Sequence, residues 1–325
     1  MLGQAGHDVA LGGNIGVPVL DLPPPENDRV HVIECSSYQI DLAPSLKPTV
    51  GLLINITPDH LDRHGDLAHY AAVKARLVAN AETALVGVDD EPSRAIAARL
   101  KGAGGHVVTV SGDESADAQV FVAGRRVRER GFPGAGVDLT GARALRGAHN
   151  GQNAAFAYAA ARALGVADEA IAGAFASFPG LAHRMEEVGR RGKVLFVNDS
   201  KATNADAAEK ALLSFHAIHW ILGGKPKAGG IEPLRPLFPR IAKAYLIGEA
   251  SDMFAASLQG AVPFERCETL TRALAAAARD AARSTAEEPV VLLSPACASF
   301  DQFANFEARG DAFRAEVDNL LNGER

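Results

Sequence analysis

Residues 50–74 constrain the fold more than any other stretch. Positions 50–54 form a short apolar run with the look of a buried strand. It ends near Thr57-Pro58, because proline lacks the N–H that a strand ladder requires. Asp59, His60, Asp62, Arg63 and His64 come next, and a helical pattern then carries the chain to Lys74. A buried strand, a polar loop and a returning helix make up the repeating unit of an open parallel sheet. In such sheets ligands sit outside the carboxyl ends of the strands.

The same alternation runs through the chain. Strands are expected at 31–34, 83–88 and 106–110, with helices at 92–100 and 154–164. Residues 119–140 break the rhythm: short alternating runs around Ala123-Gly124 and Gly134-Ala135-Gly136 predict a small antiparallel excursion. Asn150 is placed to cap the helix at 154–164. Phe178-Pro179-Gly180-Leu181 reads as a domain boundary, giving units 1–180 and 181–325. The second unit predicts strands at 194–197, 217–222, 243–247 and 289–293, and helices at 205–214, 231–240, 250–258, 268–284 and 304–321. The fold class is α/β: a mostly parallel sheet, then a doubly wound, Rossmann-like domain.

Length and charge narrow the function. A chain of 325 residues is long enough for two ordinary domains. A net charge of −6 argues against a nucleic-acid partner, which needs clustered Lys and Arg. The one basic cluster, Arg125 to Arg130, reads as a solvated hairpin face. The three cysteines, Cys35, Cys267 and Cys297, have no metal-ligand spacing and suggest no disulfide framework, which points to a reducing cytoplasm. No apolar run suits a membrane span, so no membrane partner is expected.

Polar residues gather where strands end. Glu34 closes one strand, with Ser36 and Ser37 as caps for the next element. Asn198 and Asp199, Gly223 to Lys227, and Ser294 to Phe300 close three more. Each alone suits a plain strand-to-helix loop, and three in one domain suggest a ligand crevice.

Five segments carry a resemblance to the Mur ligase family of ATP-dependent amide-forming enzymes of peptidoglycan synthesis. They are Gly12-Gly13-Asn14-Ile15-Gly16, Glu34-Cys35-Ser36-Ser37-Tyr38-Gln39, Asn55-Ile56-Thr57-Pro58-Asp59-His60-Leu61-Asp62-Arg63, Asn198-Asp199-Ser200-Lys201-Ala202-Thr203-Asn204, and Ser294-Pro295-Ala296-Cys297-Ala298-Ser299-Phe300-Asp301-Gln302-Phe303. They stand in family order over nearly the whole chain, and the last two resemble the D-glutamate-adding branch.

The resemblance implies ATP, Mg²⁺ with two ions expected, and the substrates UDP-N-acetylmuramoyl-L-alanine and D-glutamate. It implies that Glu34 binds one Mg²⁺ and that His60 and Lys74 serve the second, these three being the catalytic set. A plain ammonium has no lone pair for a metal, and the family's matching lysine is carbamylated, so Lys74 is expected to be carbamylated; the plain alternative is a surface-reaching helix lysine. Asn150, Asn153, Arg184, Asp199 and Lys201 are implied at the nucleotide, with Arg184 at the phosphates. Asn14 and Ser36 are implied at the muramoyl substrate, and Thr203, Lys227, Ser299 and Phe306 at D-glutamate. Lys225 competes with Lys227 for that place. Phe306 is expected to act through its backbone amide, with its ring serving helix packing.

One departure stands out. The family carries a UDP-binding domain and a phosphate loop ending in Lys-Ser or Lys-Thr before these segments, and no G-x-x-x-x-G-K-[ST] pattern occurs here. The chain is therefore expected to be an N-terminally truncated ligase. The alternative is a non-catalytic homologue that binds nucleotide and D-glutamate without turnover. A folylpolyglutamate-synthase-like ligase shares the scaffold, but the last two segments argue against it. A monomer is expected.

Overall fold

The computed structural model describes residues 1–114, 116–132, 134, 136–227 and 229–323. The chain forms two compact units, Met1–Phe178 and Pro179–Arg325. Ala135, at the centre of one expected turn, lies outside the described residues.

The first unit opens with strands β1 (Asp8–Gly13) and β2 (Arg29–Glu34), which pair in parallel and form a two-stranded sheet of their own. Gly12 and Gly13 are the last residues of β1. Helix α1 (Ser37–Leu42) leads to β3 (Val50–Leu53), and α2 (Leu61–His64) and α3 (Leu67–Ala79) to β4 (Thr83–Gly87). Helix α4 (Glu91–Gly102), β5 (Val107–Val110), β6 (Val120–Ala123), β7 (Arg126–Glu129), β8 (Gly136–Asp138), α5 (Ala148–Ala163) and α6 (Asp168–Ser177) complete it. Strands β3 to β8 lie in chain order, parallel as far as β6 and antiparallel from β6 to β8.

Burial follows the two-residue period of a strand. Leu85 of β4 faces a core with Phe156 and Tyr158 of α5, while its neighbour Val86 faces Tyr70 and Val78 of α3 and Ile96 of α4. Arg125 to Arg130 lie on the β6–β7 hairpin with Arg125, Arg128 and Arg130 exposed, as expected of a solvated face. The Arg125 guanidinium also donates to the carbonyls of Leu145 at 2.6 Å, Ala142 at 3.2 Å and Leu139.

The second unit runs β9 (Glu186–Arg191), β10 (Val194–Asn198), α7 (Ala205–Ser214), β11 (Ile218–Gly223), β12 (Ile241–Ile247), α8 (Ser251–Leu258), β13 (Phe264–Glu268), α9 (Leu270–Ala282), β14 (Val290–Leu293) and α10 (Phe306–Asn322). The strand order is β13-β12-β11-β14-β10-β9, parallel except for the antiparallel edge strand β9. Leu195, Val197, Trp220 and Leu222 face one side with α7 and α8; Phe196, Ile221 and Val291 face the other with α9 and α10. Two helical layers thus cover a sheet apolar on both faces, as parallel sheets require.

The expected helix at 231–240 is a 3₁₀ helix, Glu232–Arg240. Pro236 and Pro239 lie inside it, and each removes an N–H from the α-helical ladder. No helix among the described residues is long and apolar enough to cross a membrane.

Candidate active site

In the first unit, the register sets Gly13 opposite Glu34, and the Asn14 amide donates to the Glu34 carbonyl at 2.8 Å. The ends of β1 and β2 therefore present Asn14 and Glu34 side by side, both exposed. The Glu34 carboxylate has no ion pair among the described residues. Ser36 caps α1: its hydroxyl accepts from the Gln39 amide, and the Gln39 side chain accepts from the Ser36 amide at 2.9 Å.

That cap aims Tyr38 at the loop after β3. The Tyr38 ring meets His60 edge-on at 5.3 Å and His64 at 5.7 Å, and the Arg63 guanidinium lies 5.8 Å from its centroid. His60 takes a left-handed conformation, φ 52°, and its amide donates to the Asp59 carboxylate at 2.8 Å. His64 is buried, shares a 3.0 Å hydrogen bond with Ser37 and packs on Tyr70 at 5.3 Å. Tyr70 in turn carries the Lys74 ammonium 4.8 Å from its ring centroid. One aromatic cluster thus joins His60 to the helix bearing Lys74. Sequence reasoning missed Tyr38 as its centre, although it lies within the segment that begins at Glu34.

Asn150 is not the helix cap. Helix α5 starts earlier, after Gly147, and the Asn150 side-chain Nδ2 donates to the Arg146 carbonyl at 2.8 Å. Asn153 lies one turn on, and its exposed side chain donates from Nδ2 to the Asn150 side-chain Oδ1 at 3.5 Å.

In the second unit, the loops after β10, β11 and β14 meet because those strands are near neighbours. The Asp199 amide donates to the Leu293 carbonyl at 2.7 Å, that of Gly223 to Pro295 at 2.9 Å, and that of Lys225 to Ala298 at 2.9 Å. Asp199 is buried; its carboxylate accepts from the Ser294 hydroxyl at 2.7 Å and the Met185 amide at 3.1 Å. Burial pushes its pKa up to about 7, against the pull of those hydrogen bonds and of Arg184. Arg184 is exposed between two left-handed residues, His183 at φ 62° and Met185 at φ 46°.

Lys201 and Phe306 come together, the ammonium 4.3 Å from the ring centroid. The Phe306 ring is half-buried and, besides the Lys201 ammonium, meets His183 edge-on at 6.1 Å. Thr203 is half-buried, and its amide donates to the Lys201 carbonyl at 2.8 Å. Ser299 is buried, and its carbonyl caps the turn to Phe303. Lys225 and Lys227 are both exposed. Burial raises the Cys297 thiol to about 12, and Lys227 is the lysine whose charge acts against that rise. Ser200, Ser294 and Arg309 also belong to this convergence; Arg309 lies one helical turn beyond Phe306, a spacing that places both on one face.

Among the described residues, no group of three or more His, Cys, Asp or Glu side chains is arranged to hold a metal ion. Glu34 suits a hard cation, being an exposed carboxylate free of ion pairs among the described residues. Lys74, as an ammonium over an aromatic ring, does not fit a metal and would fit only after conversion to a carbamate.

Residues 6–161 match the Mur ligase middle domain, and residues 183–297 match the Mur ligase glutamate ligase domain. UDP-N-acetylmuramoylalanine–D-glutamate ligase of Brucella abortus is 60% identical over 315 residues, covering 96% of this chain and 68% of that relative, whose N-terminal region is unmatched. Among solved structures, UDP-N-acetylmuramate-alanine ligase of Thermotoga maritima superimposes with a TM-score of 0.68 at 15% identity, over 99% of this chain and 71% of that one. The MurF ligase of Thermotoga maritima, solved in complex with ADP, gives a TM-score of 0.63 at 15% identity, over 98% and 76%. At such identities the structural likeness speaks for the fold.

Proposed function

Since this chain belongs to the Mur ligase family, we propose that it joins D-glutamate to UDP-N-acetylmuramoyl-L-alanine at the expense of ATP. One observation carries this reading. The two segments that resemble the D-glutamate-adding branch, 198–204 and 294–303, fold onto one another in the second unit, joined by Asp199 and Ser294.

The reaction needs two anions to meet. An oxygen of the alanyl carboxylate bonds to the γ-phosphorus, ADP leaves, and an acyl phosphate results. The D-glutamate nitrogen then bonds to the acyl carbon, loses a proton, and phosphate departs. Mg²⁺, when bound, supplies charge neutralisation at the phosphates. Glu34 would hold one ion, and His60 with carbamylated Lys74 a second.

The remaining roles fall to this chain's own side chains. Arg184, exposed and free of ion pairs among the described residues, offers a permanently charged planar fork to the ATP phosphates. Asn150 and Asn153 present amides, and Asp199 and Lys201 flank the nucleotide. Asn14 and Ser36 orient the muramoyl substrate, and Ser36 does so from a fixed cap. The two carboxylates of D-glutamate call for cations and donors, which Lys227, Thr203, Ser299 and the Phe306 amide supply. Lys225, whose amide donates to the Ala298 carbonyl at 2.9 Å, competes with Lys227 for that place. The protein acts as a cytoplasmic monomer in peptidoglycan precursor synthesis, with the unit Met1–Phe178 as its ATP-binding domain and the unit Pro179–Arg325 as its amino-acid-binding domain.

A second reading is that the chain binds nucleotide and D-glutamate without turnover. Mass spectrometry separates the two. Incubation with ATP, Mg²⁺, UDP-N-acetylmuramoyl-L-alanine and D-glutamate yields the glutamylated product under the first reading. It yields none under the second, while D-glutamate binding persists.

A further inference from the structure

The floor under the second unit's converging loops is a buried arginine. Arg309, in the first turns of α10, is 1% exposed. Its Nε donates to the Ser200 hydroxyl at 3.0 Å, and its Nη2 to the carbonyls of Ser200 at 2.8 Å and Cys297 at 3.1 Å. The Ser200 hydroxyl in turn donates to the Phe306 carbonyl at 2.8 Å. Nη1 is buried and has no hydrogen-bond partner among the described residues.

The third loop closes over this free nitrogen. A Cβ at Gly224 would lie 3.2 Å from Nη1 and 2.3 Å from the Ala298 carbonyl oxygen, with φ at +128°. Glycine is needed there because of that φ and the Ala298 carbonyl, and the guanidinium lies close by. One side chain therefore touches the loops after β10, β11 and β14.

Its charge has no direct ion pair, and the Asp301 carboxylate acts on it only from beyond contact. No carboxylate lies within ion-pair distance of it among the described residues, and burial pulls its pKa down to about 10. A buried charge without a counter-ion is costly, and such groups persist where they serve a ligand or a specific geometry. In a low-dielectric setting its field reaches the loops above with little screening.

We propose that Arg309 is a positioning residue for the amino-acid acceptor. It fixes Ser200, Gly224 and Cys297 in one register, so that Thr203, Lys227 and Ser299 stay aimed. Its charge, held without a direct ion pair and with Nη1 unpartnered, biases the crevice towards an amino acid with two carboxylates. The inference rests on the amino-acid-acceptor reading of this unit given above.

The test compares the intact chain with Arg309→Lys and Arg309→Met. Binding of D-glutamate, its side-chain amide D-glutamine, and ATP is titrated by ligand-observed NMR, and folding is followed by thermal unfolding. The wild type is expected to prefer D-glutamate to D-glutamine. Arg309→Met weakens D-glutamate binding by about 10-fold or more and loses that preference, while ATP affinity stays within about twofold. Arg309→Lys, which keeps the charge without the fork, retains the preference and recovers part of the affinity.

A folded Arg309→Met that binds D-glutamate like the wild type, or that weakens ATP and D-glutamate equally, overturns the inference and leaves the acceptor reading intact. If Arg309→Met does not fold, Arg309→Lys decides: unchanged D-glutamate affinity overturns the proposal, and a selective loss supports it. A wild-type chain that binds no acidic amino acid overturns both the acceptor reading and the inference.

Discussion

The hydroxyl of Ser294 donates a 2.7 Å hydrogen bond to the Asp199 carboxylate, tying the loop after β14 to the loop after β10. Two segments almost a hundred positions apart are thereby brought to one end of the sheet. The bond also places a carboxylate where water hardly reaches it, and this has a consequence for stability.

Burial raises the Asp199 pKa from 3.8 to about 7. Between those values the folded chain keeps a proton that the unfolded chain has released. The contribution of Asp199 to stability therefore falls as pH rises through that window. Asp199→Asn removes the effect, so the variant should gain stability relative to the wild type between acid and neutral pH. Urea unfolding of both proteins at several pH values checks this; a difference independent of pH would contradict it.

Gly310→Ala should destabilise the second unit. Alanine gains about 1 kcal/mol over glycine in an ordinary helix interior. Here its Cβ would lie 2.1 Å from Nδ1 of His183, a buried ring that faces the Asn198 amide at 3.1 Å. Overpacking of this kind costs about 1–3 kcal/mol and outweighs the propensity gain. Thermal unfolding reads the result, and a raised midpoint would refute the packing argument.

Lys74 is expected to take up carbon dioxide. In ¹³C NMR with labelled bicarbonate, the wild type should show a carbamate resonance that Lys74→Ala lacks. Ligation by Lys74→Ala should fall by about 100-fold and recover in part with added short carboxylic acids, as expected when a charge-bearing group at the reacting phosphates is removed. Full activity in the variant would remove Lys74 from the site.

Arg184→Ala should raise KM for ATP about 10-fold, the scale of one charge-assisted contact, and change KM for D-glutamate much less. Steady-state kinetics with each substrate varied decides it. An unchanged ATP response would mean that the arginine between His183 and Met185 is held there for another reason.

The parallel strands were legible because each is an apolar run: Val194 to Asn198, Ile218 to Gly223 and Val290 to Leu293 are buried along their whole length. Strand β9 was not, because Glu186-Glu187-Val188-Gly189-Arg190-Arg191 lies at an edge and is no more than half-buried. Strand β13 escaped for the same reason, with Glu265, Arg266 and Glu268 among its residues. Asn150 looks like a cap because it is the asparagine just ahead of the alanine run. The backbone has already turned helical at Ala148, with Gly147 at φ 87° in the cap position. Among site residues, motif spacing places Glu34, His60, Asp199 and Ser299 at strand ends or in the loops beyond, where the structure has them. Arg309 was invisible because an arginine in an amphipathic helix reads as solvated; only the folded loops show its surroundings.

The central claim is that this chain couples ATP cleavage to D-glutamate. The most direct measurement is phosphate release from ATP by the 325-residue chain, with Mg²⁺ and UDP-N-acetylmuramoyl-L-alanine, in the presence of D-glutamate, of L-glutamate, or of neither. The account predicts sustained release with D-glutamate alone, matched by consumption of the amino acid. No release under any of these conditions, or release indifferent to which glutamate is present, would contradict it.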